Sequence, residues 1–179
     1  ILTQQEFEAL LAMWSAELQG DETPRPSVSD LQSPPQSVVM IQCVGPAERY
    51  CSRTCCTIAL KNALKLKELN PAARITVLYR DIRTYGFKER LYTEARRRGV
   101  LFVRYDADRK PEVHLPEREG DRPEVRVWEP VLEREMTLHP DLLVLSMPMV
   151  PVEGAEELAN RLKVGVDLDG WLMEAHVKL

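Results

Sequence analysis

All the thiols of this chain, Cys43, Cys51, Cys55 and Cys56, fall within residues 43–56, in the stretch QCVGPAERYCSRTCC. Four thiolates are what an iron–sulfur cubane or a structural zinc ion requires. The spacing weighs between the two. Zinc sites usually draw on two C-x-x-C knuckles well apart in sequence. Here seven residues separate Cys43 from Cys51, three separate Cys51 from Cys55, and Cys56 follows Cys55 directly. Successive side chains of a regular helix diverge by roughly 100°, so Cys55 and Cys56 cannot both face one small ion. A cluster with several separated iron corners tolerates that spread better. A disulfide between adjacent cysteines closes a strained, reducible ring. Metal, nucleotide and disulfide chemistry all stay open at this point.

The elements around the cysteines decide how they are held. Ser37–Cys43 is a short continuous apolar run, as a buried parallel strand would be. Thr54–Leu69 reads as a helix, with Ile58, Leu60, Leu64 and Leu66 among its apolar positions and lysines opposite. Strand, tight loop and helix N-terminus is the layout of a dinucleotide-binding turn. That turn needs glycines so that the backbone can approach a pyrophosphate. Gly45 is the one glycine in this loop, and cysteines take the remaining space. The positive end of the helix dipole favours an anionic thiolate centre there. Arg49 and Arg53 would offset more of its charge.

The strand–helix alternation continues beyond the loop. Arg74–Tyr79 and Val100–Tyr105 read as strands, with a basic amphipathic helix over Phe87–Arg98 between them. Short connections of this order mean a Rossmann-like α/β fold, a parallel sheet with flanking helices. Glu112–Leu115, Glu124–Glu129 and Glu133–Leu138 alternate apolar and charged residues, as an antiparallel β-meander does. Asp141–Ser146 is apolar again and is expected to rejoin the main sheet. Gly154–Leu162 reads as a short helix, and Trp171–Val177 as a last strand after the DLDG turn. Residues 1–18 carry an amphipathic helix with capping-box spacing between Thr3 and Glu6. A Pro/Ser-rich linker over 19–37 follows it, and 38–179 forms the expected Rossmann-like domain. The N-terminal helix is expected to fold back on this domain rather than to dock elsewhere.

Composition narrows the function classes. The chain has 179 residues, 44% apolar and 29% charged, enough for one domain with a real core. Its net charge of −4, from 24 basic against 28 acidic residues, gives no pull toward nucleic acid or anionic membrane. No apolar run has the length of a membrane span. The opening residues, amphipathic and acidic, do not read as a signal peptide. A cytoplasmic protein is expected, and a reducing cytosol favours metal or redox chemistry over a disulfide framework.

Other residues compete for a role. Arg80, Asp81, Arg83, Thr84, Tyr85 and Gly86 follow the second strand, where dinucleotide folds place groups that touch the ribose or its phosphate. They are candidates for cofactor or partner binding, against a plain capped loop with an Asp81–arginine ion pair. Arg96, Arg97 and Arg98 are better explained by the negative end of the helix they close. His114, His139 and His176 lack ligand spacing, and a Glu174–His176 pair is read as structural. Ser146, Met147 and Pro148 form a loop at a strand end. No Ser–His–Asp order supports hydrolytic chemistry.

QCVG, YCSRTCCTIALKNALKLKE and VLYRDIRTYGFKERLYTEARRRGVLFVRYD together resemble the A-subunit family of heterodisulfide reductase. LTQQEFEALL, DLLVLSMPMVP and the ending GAEELANRLKVGVDLDGWLMEAHVKL add to the resemblance, which covers nearly the whole chain. It implies a core like that of thioredoxin reductase, here its pyridine-nucleotide domain, in an iron–sulfur flavoprotein that passes electrons between partner subunits. It implies one [4Fe–4S] cluster on Cys43, Cys51, Cys55 and Cys56. It also implies partner oxidoreductase subunits or domains carrying FAD and further clusters, and allows a homodimer. The Cys43–Cys51 gap is shorter than the family's, and Pro46 replaces a serine. The family's FAD fingerprint and ferredoxin-type cysteine runs are missing from these residues. An excised domain or reduced relative is therefore expected, with most of the flavin site outside it.

Overall fold

The computed structural model describes residues 1–20, 31–45, 51, 54–116, 118 and 120–174. The chain opens with β1 (Leu2–Thr3) and α1 (Gln4–Gln19). Thr3 caps α1 reciprocally: Thr3 N donates to Glu6 Oε2 at 2.7 Å, and Glu6 N donates to Thr3 Oγ1 at 3.3 Å. Gly20, at φ 83°, closes the helix in the left-handed region and donates to the carbonyls of Ala16 and Glu17. Next come β2 (Ser37–Ile41), α2 (Cys55–Leu69), β3 (Arg74–Tyr79), α3 (Glu89–Arg97) and β4 (Leu101–Arg104). A single 3₁₀ turn, Gly86–Lys88, leads into α3. The meander of β5 (Glu112–His114), β6 (Glu124–Glu129) and β7 (Arg134–Leu138) is followed by β8 (Leu142–Leu145) and α4 (Ala155–Leu162).

The five strands of the main sheet run in the order β1-β8-β2-β3-β4, all parallel. The meander forms a separate antiparallel sheet, β5-β6-β7. Alternation along each strand sorts the core into two faces. Val38, Met40, Ile75, Val77, Leu142 and Val144 pack with the helices. Val39, Ile41, Leu78, Val103 and Leu143 pack with Val125 and Val127 of the meander. The result is three layers: meander, parallel sheet, helices.

Phe7, Leu10, Leu11 and Trp14 of α1 are buried in the helix-side core. Asn62 of α2 ties α1 down, its Nδ2 donating to the carbonyl of Gln4 at 3.0 Å and to Gln4 Oε1 at 2.9 Å. Residues 1–20 are thus built into the same sheet and core as the strands from Ser37 onward.

Two expected strands differ in extent. The run through Cys43 stops pairing as a strand at Ile41, because Cys43 turns into the left-handed region at φ 56°. No strand forms over the described part of Trp171–Val177. A single antiparallel bridge joins Leu172 to Val166, and residues 175–179 lie outside the described residues. The cause is the DLDG turn. Asp167 Oδ1 accepts the N–H groups of Asp169 and Trp171, each at 2.9 Å, and so takes up a donor that a ladder would need. Among the described residues no helix is long and apolar enough to cross a membrane.

Candidate functional site

The carboxyl ends of β2, β3, β4 and β8 form one edge of the sheet, and Cys43 lies just past the end of β2 there. Gln42 still follows the ladder, its N–H donating to Leu78 O at 2.8 Å. The buried Tyr105 hydroxyl, just past β4, donates to Gln42 O at 2.6 Å. The chain then bends at Cys43. Gly45 has φ 117°, and a Cβ there would meet Pro148 Cγ at 3.2 Å. Conformation and space both call for glycine. Lys110 Nζ donates to Gly45 O at 3.0 Å. The start of the loop is therefore clamped by groups from three sides.

Residues 46–50 and 52–53, with Arg49 and Arg53 among them, lie outside the described residues. Cys55 and Cys56 open α2, where Thr54 supplies no side-chain cap. None of the four cysteines is in a disulfide. Cys43, Cys51 and Cys55 are half-buried, whereas Cys56 is buried beneath them with its Sγ 3.6 Å from Asp81 O. The Cys56 thiol is pushed far above its ordinary range, first by a hydrogen bond with Cys55 and then by burial. The Arg83 backbone acts the other way, and charges on Cys55 and Cys43 would add to the rise. Cys55 and Cys43 thus lie close enough to Cys56 to act on its thiol. A bound cation reverses such a rise, because a metal centre deprotonates the thiols that coordinate it. The donor set fits a four-cysteine iron–sulfur group by chemistry. Among the described residues no three His, Cys, Asp or Glu side chains are already grouped as a bound metal ion would need.

The loop after β3 lies against this rim. Arg83 Nε sits 3.1 Å from Asp81 Oδ2. Asp81 holds the Arg83 guanidinium above its ordinary range, and the charge of Cys51 adds to the effect. The ion pair of the plain-loop alternative therefore forms, and Arg83 lies near Cys51. The charge of Arg80 reaches the Tyr105 hydroxyl, although burial dominates there and raises that group's pKa. Thr84 is buried, Tyr85 is exposed, and Gly86, at φ 59°, starts the turn into α3. The structure thus brings Asp81 and Arg83 to the cysteines and leaves Tyr85 in solvent.

The remaining candidates stay apart. Arg97 and Arg98 pair with Glu94 at 2.7 and 2.6 Å, and Arg96 lies over the Tyr92 ring. His114 and His139 are exposed beside Glu112 and Glu124. His176 is outside the described residues.

Several known proteins are similar to this chain. The A-subunit of ferredoxin:CoB-CoM heterodisulfide reductase from Methanosarcina acetivorans is 38% identical over 154 residues, covering 81% of this chain and 18% of the relative. The A-subunit of the ferredoxin/F(420)H(2)-dependent CoB-CoM heterodisulfide reductase of the same organism is 36% identical over 187 aligned positions, covering 100% of this chain and 22% of the relative. Over this segment the chain belongs to the A-subunit family of heterodisulfide reductase. It spans about a fifth of the length of the curated relatives it matches. No protein-family model matches it.

Among solved structures, thioredoxin reductase of Lactococcus lactis superposes with a TM-score of 0.51 at 16% identity. That match covers 82% of this chain and 41% of the reductase. The fold of this chain is therefore the thioredoxin-reductase-like one that the family resemblance implied. Cys43 follows β2, and Cys55 and Cys56 open α2.

Two neighbours of the cysteines in this chain escape a sequence reading. Gln42 is a polar residue inside an apolar run, and it is fully buried. Tyr105, read only as a strand residue, clamps Gln42. The signal for Gln42 was its place: a long amide at the end of a strand that otherwise holds only apolar side chains and its opening serine.

Proposed function

We propose that Cys43, Cys51, Cys55 and Cys56 hold one [4Fe–4S] cluster, and that the chain is an electron-transfer segment of a heterodisulfide-reductase-like flavoprotein. The observation that carries this reading is the set of four cysteines, none in a disulfide, around one sheet edge, with Cys55 and Cys43 near enough to Cys56 to act on its thiol. Such a cluster supplies one-electron storage and relay. The protein's own part is positional. Tyr105, Lys110 and Pro148 fix the approach to Cys43, the N-terminus of α2 presents Cys55 and Cys56, and Asp81 O braces Cys56. The Asp81–Arg83 pair sets a positive group near Cys51.

Arg80, Asp81, Arg83, Tyr85 and Gly86 are proposed to face the electron partner or its cofactor. FAD in this reading is held mostly by residues beyond this chain, and partners are oxidoreductase subunits or domains with flavin and further clusters. The exposed Met147, Met149, Val150 and Val152 beside the rim support docking of such a partner. Thr54 Oγ1 lies 3.9 Å from Met149 Sδ, which joins this apolar strip to the start of α2.

Anaerobic reconstitution tests the reading. The wild-type chain is expected to retain roughly four iron and four sulfide, and C55S or C56S to lose most of both. Stoichiometric zinc in place of iron, or disulfide formation without metal in a free-thiol count, rejects it.

A further inference from the structure

Gln42 and Ser146 end neighbouring strands at the point where the sheet changes direction. From β2 the chain winds outward through β3 to β4, and β8 returns on the other side of β2. Open α/β sheets bind ligands in the crevice at such a switch point. The β2–β8 register pairs Ile41 with Leu145, and Ser146 N donates to Ile41 O at 2.9 Å. One step further sets Gln42 beside Ser146. Val38 and Met40 of β2, and Leu142 and Val144 of β8, face the helices. The same alternation turns Gln42 and Ser146 to that side, from which α2 arrives with Cys55 and Cys56.

Both residues are sealed from solvent, Gln42 at 0% and Ser146 at 3% exposure. The main chain of Gln42 is fully bonded, to Leu78 and Tyr105. Its side chain is not. Neither Gln42 Nε2, Gln42 Oε1 nor Ser146 Oγ has a hydrogen-bond partner within the described residues. Thr57 Oγ1, in the first turn of α2, is a further buried hydroxyl without one. Leaving such a group unmet destabilises the fold, and an apolar side chain of similar shape would avoid that. Two adjacent polar residues with orphaned atoms, next to Cys43 and under the start of α2, point to a group that the protein is built to receive.

We propose that Gln42, with Ser146 beside it, is a positioning residue for the cysteine centre, its amide N–H and the serine O–H donating to sulfur there. The inference rests on the cluster reading above. Hydrogen bonds to cluster sulfur or thiolate favour the more negative, reduced state and so raise the reduction potential. Neither residue carries the electron.

The test uses the full chain as wild type, Q42M and S146A, each reconstituted anaerobically. Methionine keeps most of the volume of glutamine without its donor, and S146A removes one hydroxyl with little risk to folding. Iron and sulfide content, the thermal midpoint of the metal-free protein and the midpoint potential by paramagnetic-resonance titration are read together. Q42M is expected to fold at least as stably as wild type, to hold iron, and to titrate at a more negative potential. S146A is expected to shift the same way by less. Variants that hold the cluster at the wild-type potential overturn the inference while leaving the cluster reading in place. A Q42M protein that fails to fold, with S146A at the wild-type potential, overturns it as well. A wild-type chain that retains no iron brings down both.

Discussion

Cys56 differs from the other cysteines in what surrounds it. It is buried, its Sγ lies near the Asp81 carbonyl, and both its hydrogen bond with Cys55 and its burial hold the proton on. The thiolate is the reactive form of cysteine. In metal-free, reduced protein at pH 8, iodoacetamide is expected to modify Cys56 at least tenfold more slowly than any other cysteine. Mass spectrometry of timed digests checks this, and equal labelling of all four would contradict the geometry. Raising the pH from 8 toward 10 should speed Cys56 steeply, because a thiol whose folded pKa is raised keeps gaining thiolate in proportion to hydroxide over this range. The sequence showed these residues readily, since four thiols in one stretch admit few chemistries. It could not show which cysteine lies underneath, because that depends on where the β3 loop passes. Gln42 was illegible for a related reason. A single polar residue in an apolar run looks like noise until the strand is seen to end beneath α2.

Elements with local signals were read closely, and elements that depend on distant partners were not. The capping box of α1 needs only Thr3 and Glu6, and both contacts form. The expected effect of T3A is a loss of about 1 kcal/mol, measured by denaturant unfolding against wild type. An unchanged stability would mean that packing alone holds α1. The expected last strand failed at this scale. Its alternation was plausible, but a strand also needs a ladder, and Asp167 takes the Trp171 N–H. Met173 and Leu172 then find no sheet to cover them and stay about half exposed. The early end of β2 has the same kind of cause, a backbone bend at Cys43 that hydropathy does not encode.

At the scale of the molecule, the parallel order followed from the alternation of strands and helices, whereas the place of the first residues did not. A helix before a proline-rich stretch is expected to fold back on the domain, but its sequence does not say against which strand. The structure puts β1 beside β8, at an edge of the main sheet, and sinks Trp14 into the helix-side core with Leu60, Ala63 and Leu66 of α2. Removing α1 would strip that side of the sheet. The prediction is that residues 1–20 and the sheet they cover unfold as one unit. The chain has three tryptophans, Trp14, Trp128 and Trp171. In the W128F/W171F variant, Trp14 is the remaining indole and reports on α1 alone. Its fluorescence transition in urea is expected to coincide with the far-ultraviolet circular dichroism transition of the same variant, as a single cooperative domain requires. A Trp14 transition at clearly lower urea, with most of the ellipticity retained, would make the N-terminal helix a separate unit. The buried Asn62–Gln4 contact and the apolar face around Trp14 give the expected coincidence a physical basis, because α1 cannot leave without breaking that contact and exposing the helix-side core to water.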